Sequence, residues 1–177
     1  MATPVLIPVS EYLKTRYRPD CDYIDGEVKV RHLGETPHGT AQSVIAAIFL
    51  ANRKAWQVRA LTEQRIQTSQ THFRVADVCV LRFGEPPGPI VRTPPLVCVE
   101  VRSPGQSLTD IQEVVNDYLN MGVGNIWILD PVQRFAWTAT AGGFESLSSG
   151  EFSVAGTDIR IALADIYEQL DEMAAGR

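Results

Sequence analysis

Two acids stand inside runs of strand-forming residues, and together they could hold a hard cation. Asp77 interrupts Phe73-Arg74-Val75-Ala76-Asp77-Val78-Cys79-Val80-Leu81, and Glu100 interrupts Leu96-Val97-Cys98-Val99-Glu100-Val101. Asp is depleted in strands, and Glu less so. A carboxylate taken out of water without a partner costs of order several kcal/mol. Both charges therefore call for compensation, and a divalent cation compensates two at once. Mg²⁺ and Mn²⁺ take oxygen ligands, often one or two carboxylates completed by water and a phosphate. Such an ion can polarise a phosphodiester and lower the pKa of bound water.

For that chemistry the two acids must meet. If their strands are antiparallel neighbours, the register that opposes Asp77 to Glu100 also opposes Cys79 to Cys98 and Leu81 to Leu96. Directly opposed side chains start about 5 Å apart. Val78, Val80, Val97, Val99 and Val101 then form one aliphatic face suited to a covering helix. The other face carries the acids, two thiols and Arg102. Without a cation, one of two close carboxyls takes up a proton. Arg102 is placed to stabilise developing negative charge, although a guanidinium is a poor proton-transfer group.

The surrounding pattern predicts the elements that position these residues. Ser10 can cap a short helix through about Arg16. Asp25-Gly26 marks a tight hairpin turn within residues 23–30. A helix is expected from His38 to about Trp56, with Val44, Ile45, Ile48 and Phe49 as its apolar stripe. Strands follow at 57–67, 73–83 and 96–102, with a Pro/Gly loop over 84–95. A helix starts at Ser107 and ends at Gly122. A strand at 126–129 is stopped by Asp130-Pro131, and strands near 134–140, 144–147 and 151–154 make a C-terminal β-meander before a helix near 164–173. The class is mixed α/β, an α+β mixed sheet flanked by helices, in one domain spanning residues 1–177.

Composition limits the function classes. The net charge of −5 gives no overall basic field to draw in nucleic acid, so any such ligand needs a local groove. Arg53, Lys54, Arg59, Arg65 and Arg74 are candidates for one. The three cysteines form no C-x-x-C pair, and their spacing to the histidines matches no zinc signature. Unclustered thiols read as reduced, hence a cytoplasmic protein. No signal peptide or membrane-spanning run is expected.

The ordered segments Tyr23-Ile24-Asp25-Gly26-Glu27-Val28, Pro37-His38, Val75-Ala76-Asp77-Val78, Val99-Glu100-Val101-Arg102-Ser103-Pro104, Asp117-Tyr118, Gly122-Val123 and Ile126-Trp127-Ile128-Leu129-Asp130-Pro131 carry a resemblance. They resemble the Uma-type putative restriction endonuclease family of the PD-(D/E)XK nuclease superfamily. The resemblance runs from about residue 10 to residue 170. It implies a restriction-endonuclease-like core, with Asp77 and Glu100 as metal ligands and Glu27 as a third active-site acid. It also implies that His38 and Tyr118 lie near the cleft, that Mg²⁺ or Mn²⁺ is the cofactor, that DNA is the substrate, and that the protein is a homodimer.

This chain departs from the pattern at the cation. The superfamily lysine is Arg102, and the alternative helix position, four after Asp110, is Val114. Only Lys14, Lys29 and Lys54 exist. Lys29 could substitute if the first hairpin folds over the site. Each residue also has a plainer reading. Asp77 and Glu100 could be ion-paired with Arg74 or Arg102, Glu27 solvated beside a turn, His38 a first-turn polar residue, and Tyr118 part of an amphipathic core. Three functions follow: a metal-dependent nuclease, a nuclease fold without catalysis that binds or assembles, and an unrelated α/β binding protein.

Overall fold

The computed structural model describes residues 5–32, 34–84, 88–147 and 150–176. Helix α1 (Val9–Lys14) precedes a hairpin of β1 (Cys21–Ile24) and β2 (Glu27–Val30). Asp25 and Gly26 connect them at φ +47° and +97°, the double positive φ that suits a two-residue turn to the twist of its strands. Helix α2 (Thr36–Asn52) leads into β3 (Val58–Gln67), β4 (His72–Arg82) and β5 (Val97–Val101). Helix α3 (Leu108–Met121) crosses to β6 (Ile126–Asp130), β7 (Phe135–Thr140) and β8 (Gly143–Ser146). Strands β9 (Glu151–Ser153) and β10 (Arg160–Ala162) precede α4 (Leu163–Ala174).

The main sheet runs β2-β1-β4-β5-β6-β7-β8, and β3 pairs with β4 as well. Among the described strands, only the β5–β6 pair is parallel, as the α3 crossover requires. The β4–β5 register pairs Val78 with Val99, Cys79 with Cys98 and Val80 with Val97, as the sequence predicts. The five valines of the aliphatic face join Ile45 and Phe49 of α2 and Ile166 of α4 in one core. Cys79 and Cys98 belong to a second core with Ile111, Val115 and Tyr118 of α3. Helices therefore cover both faces of the sheet.

Four expectations need correction. The C-terminal strands do not form one meander. β8 ends the main sheet, while β9 pairs with β10, a strand the sequence reading omits. Phe152 and Ile161 anchor that pair in the first core, where Phe152 stacks on Trp127 at 4.8 Å between ring centroids. Ser10 does not cap α1: the cap position is Pro8, without a side-chain bond. Helix α2 starts at Thr36 rather than His38, because Pro37 suits the first turn. It also stops at Asn52 rather than Trp56. Residues 85–87 of the predicted Pro/Gly loop and residue 33, ahead of the helix expected from His38, lie outside the described residues.

Helix α3 follows its sequence signals closely. Ser107 and Asp110 form a reciprocal capping box, and Gly122 ends the helix at φ +98°. Those two ends fix where Tyr118 points.

Candidate active site

The site lies where one edge of β4 is divided between two neighbours. β3 pairs along most of one edge of β4. The other edge is taken by β1 at His72 and Phe73 and by β5 at Val78–Val80. Between these two ladders, side chains bond the backbone groups. Asp22 Oδ1 accepts the Val75 N–H at 3.0 Å, and Asp77 Oδ2 accepts the Val101 N–H at 2.7 Å. Opposite Asp77, the β3–β4 ladder skips a position, and Glu63 there has φ +48°, uncommon for a residue with a side chain. The sheet thus opens at the fork, and its acids turn inward instead of packing.

Asp77 and Glu100 both line the resulting cavity, which has a volume of about 150 Å³, room for an ion and a few waters. Both are buried. Burial pushes Asp77 up, but His38 Nε2 at 3.2 Å, the Arg31 guanidinium at 2.6 Å and the Val101 N–H together hold it below its ordinary value. Burial and the neighbouring Asp77 charge push Glu100 well above its ordinary value. The Tyr118 hydroxyl donates to Glu100 Oε1 at 2.7 Å, and no hydrogen bond reaches Oε2 among the described residues. The two carboxyls are thus driven apart, Asp77 downward and Glu100 upward, the division expected of two close acids.

The other sequence candidates divide. His38 lines the cavity and touches Asp77; burial depresses its pKa, but the bond to Asp77 raises it above the ordinary value overall. Tyr118 is wholly buried and bonds Glu100. Glu27 pairs with Ile24 next to the hairpin turn and is absent from the cavity wall. Two residues along the same strand, Lys29 lines it instead, opposite Asp22. A strand rises about 3.3 Å per residue, which carries Glu27 past the rim. Arg102 also departs from expectation. Its guanidinium donates to Asp130 at 2.9 Å and to the Gln106 carbonyl at 3.0 Å, and it is absent from the wall. It therefore does not pair with Glu100. Arg74, a groove candidate, is buried between Asp22 at 3.0 Å and Asp117 at 2.6 Å.

Two residues in the cavity wall escape sequence reasoning. Arg31 bridges Asp77 and Glu63, with a short contact to Glu63. It follows β2 in a loop, where no periodicity marks it. Asp22 is detectable by the logic that picks out Asp77, since it is an acid inside a strand; a strand start placed at Tyr23 leaves it out.

Asp77 and Glu100 offer the oxygens a Mg²⁺ or Mn²⁺ ion takes, two carboxylates with room for water. Glu100 Oε2 has no hydrogen bond among the described residues. Asp77 Oδ1 is covered by Arg31, so an ion reaching it must displace that guanidinium. Among the described residues, no group of three or more His, Cys, Asp or Glu is arranged to hold a metal. The donor set fits an ion held by two carboxylates and completed from outside the protein.

A central mixed sheet covered by helices, with paired acids at a fork in its strands, defines a nuclease-like α+β architecture. A solved structure has the same fold: "a putative nuclease belonging to DUF820 from Anabaena variabilis ATCC 29413" matches with a TM-score of 0.80 and 21% identity, over 93% of this chain and 99% of that one. The family model described as Uma2, "Putative restriction endonuclease", matches residues 9–142, and the chain belongs to that family. The structure of a "DrdV-DNA complex" matches with a TM-score of 0.40 and 13% identity, over 74% of this chain and 11% of that one, too slight a likeness to bear on the fold. No curated protein matches. Among the described residues, no helix is long and apolar enough to cross a membrane.

Proposed function

We propose that this protein is a divalent-metal-dependent endonuclease that hydrolyses DNA phosphodiester bonds, with Asp77 and Glu100 as the metal ligands. The observation that carries this reading is the pair of buried acids facing one small cavity at the β4 fork. When bound, Mg²⁺ or Mn²⁺ would neutralise both acids and supply an activated water. The protein's own groups do the rest. His38 and the Val101 N–H orient Asp77 and keep it ionised. Tyr118 fixes one oxygen of Glu100 and leaves the other free to bind. Of the cations lining the cavity, Arg74 is held between Asp22 and Asp117, and Lys29 and Arg31 take the charge-stabilising role expected of Arg102. Lys29 lies 3.6 Å from Glu113 at the exposed side, in reach of a phosphate entering there.

The test is cleavage of supercoiled plasmid with and without Mn²⁺. Asp77→Asn keeps an acceptor for the Val101 N–H, so its fold is retained while activity is lost. Metal-independent cleavage, or full activity in Asp77→Asn, removes the proposal.

The Arg31–Asp77 contact favours a second reading, a nuclease fold that binds or assembles without catalysis. Under it a permanent internal cation occupies the place of the metal. Calorimetric Mn²⁺ titration separates the two: binding that disappears in Glu100→Gln rejects the second reading.

A further inference from the structure

Three hollows on the surface share wall residues. The first is walled by residues 13–20 and Arg65. The second shares Pro19 and Asp20 with it and continues past Gly34, Gln42 and Glu63. The third is the acid cavity, which shares Arg31, His32 and His38 with the second. A track of adjoining hollows therefore leads from the α1–β1 connection to Asp77 and Glu100.

The outer end of that track is strongly basic. Lys14, Arg16 and Arg18 are all exposed, and no ion pair holds any of them among the described residues. Arg65 joins them, its guanidinium 4.6 Å from the centre of the Tyr12 ring. Asp20 is the one acid in that wall. On a chain of net charge −5, four cations gathered around one hollow are a local reversal of sign. Further along, Glu63 is paired with Arg31, which it shares with Asp77.

We infer that this track is the path of the substrate's sugar–phosphate backbone, with Lys14, Arg16, Arg18 and Arg65 gripping phosphates on one side of the scissile bond. The inference rests on the nuclease reading and locates the DNA for it. Flexible exposed cations without partners suit sequence-independent phosphate contact, because each contact releases counterions and adds to the salt dependence of binding. Of the groove candidates in the sequence, the path takes Arg65 alone. Arg74 is buried and paired, while Lys54 precedes β3 and Arg59 lies at its start, away from Arg65 near its other end.

The experiment is fluorescence anisotropy of a fluorescein-labelled 20-base-pair DNA duplex, titrated with the full chain in EDTA at several salt concentrations. Lys14→Ala/Arg16→Ala/Arg18→Ala is expected to weaken binding at low salt by tenfold or more. It should also flatten the slope of log K against log salt by about 2 to 3, near 0.9 for each phosphate that is no longer neutralised. Lys54→Ala/Arg59→Ala is expected to leave the slope unchanged. Circular dichroism and Mn²⁺ titration of each variant check the fold and the acid site. Should the triple variant be unfolded, the single Arg18→Ala carries the test with a slope change near 1. An unchanged slope in a folded triple variant overturns the track and leaves the nuclease reading to the plasmid assay. Absence of salt-dependent DNA binding by the unaltered chain also overturns it. Loss of binding in the triple variant, in a protein that cleaves no plasmid, upholds the track and removes the nuclease reading.

Discussion

At the scale of residues, Asp77 has more partners than any other side chain in the cavity. Its two oxygens serve His38, Arg31 and the Val101 N–H. Truncation to alanine would strand the buried Val101 N–H, at a cost of about 1–3 kcal/mol. Asp77→Ala should therefore lower the urea midpoint while Asp77→Asn changes it much less. Arg31 competes with any ion for Asp77 Oδ1. Arg31→Ala is expected to tighten Mn²⁺ binding measured by calorimetry, and an affinity equal to or weaker than that of the unaltered chain refutes the competition. Tyr118→Phe frees Glu100 Oε1 from its donor and should weaken Mn²⁺ binding about 10-fold or more, as losses behind a metal ligand do. The two acids were legible because charge is rare inside apolar strands. Arg31 was not, because a loop residue folded back by its own ion pairs leaves no periodic trace.

At the scale of elements, α3 delivers Tyr118 to Glu100, and its ends are fixed by local chemistry. Ser107→Ala removes the side-chain half of the capping box and should cost about 1 kcal/mol in chemical denaturation. Gly122→Ala places a side chain at φ +98° and should also destabilise, although Pro94 at 3.6 Å leaves space for the methyl. These caps, the Asp-Gly turn and the β4–β5 register were all readable, since each is set by residues close in sequence or by strict alternation. β10 was not readable. Arg160-Ile161-Ala162 is too short for a pattern and becomes a strand by pairing with Glu151-Phe152-Ser153 over the first core. The same holds for Arg102, since its partner Asp130 lies on β6, brought near by the parallel β5–β6 pairing.

At the scale of the whole molecule, a charged chain runs inward from the hairpin turn. His72 stands between Asp25 at 3.2 Å and Asp117 at 2.9 Å, and Asp117 continues to Arg74 and Asp22. Burial depresses the His72 pKa, but its two aspartate bonds raise it above the ordinary value overall. A raised folded value means that protonation favours the folded state. The contribution is fully present below the ordinary histidine value of about 6.5 and is lost as pH rises through the higher folded value. His72→Gln should therefore lower the melting temperature more at pH 5.5 than at pH 8.5. A difference that is constant across pH refutes this linkage.

The divided edge of β4 has one more consequence. The backbone ladder between the first hairpin and β4 is only two pairs long, Tyr23 with Phe73 and Ile24 with His72, and the Asp22 side chain adds its bonds to Arg74 and the Val75 N–H. Both Asp22 and Arg31 are carried by or just beyond that hairpin. A newcomer that evicts the guanidinium thus needs only a small flap to give way, while the helices and the parallel strand pair behind the acids stay put. Amide exchange should report this as faster turnover at 21–24 than at 78–80, with the gap widening on addition of Mn²⁺.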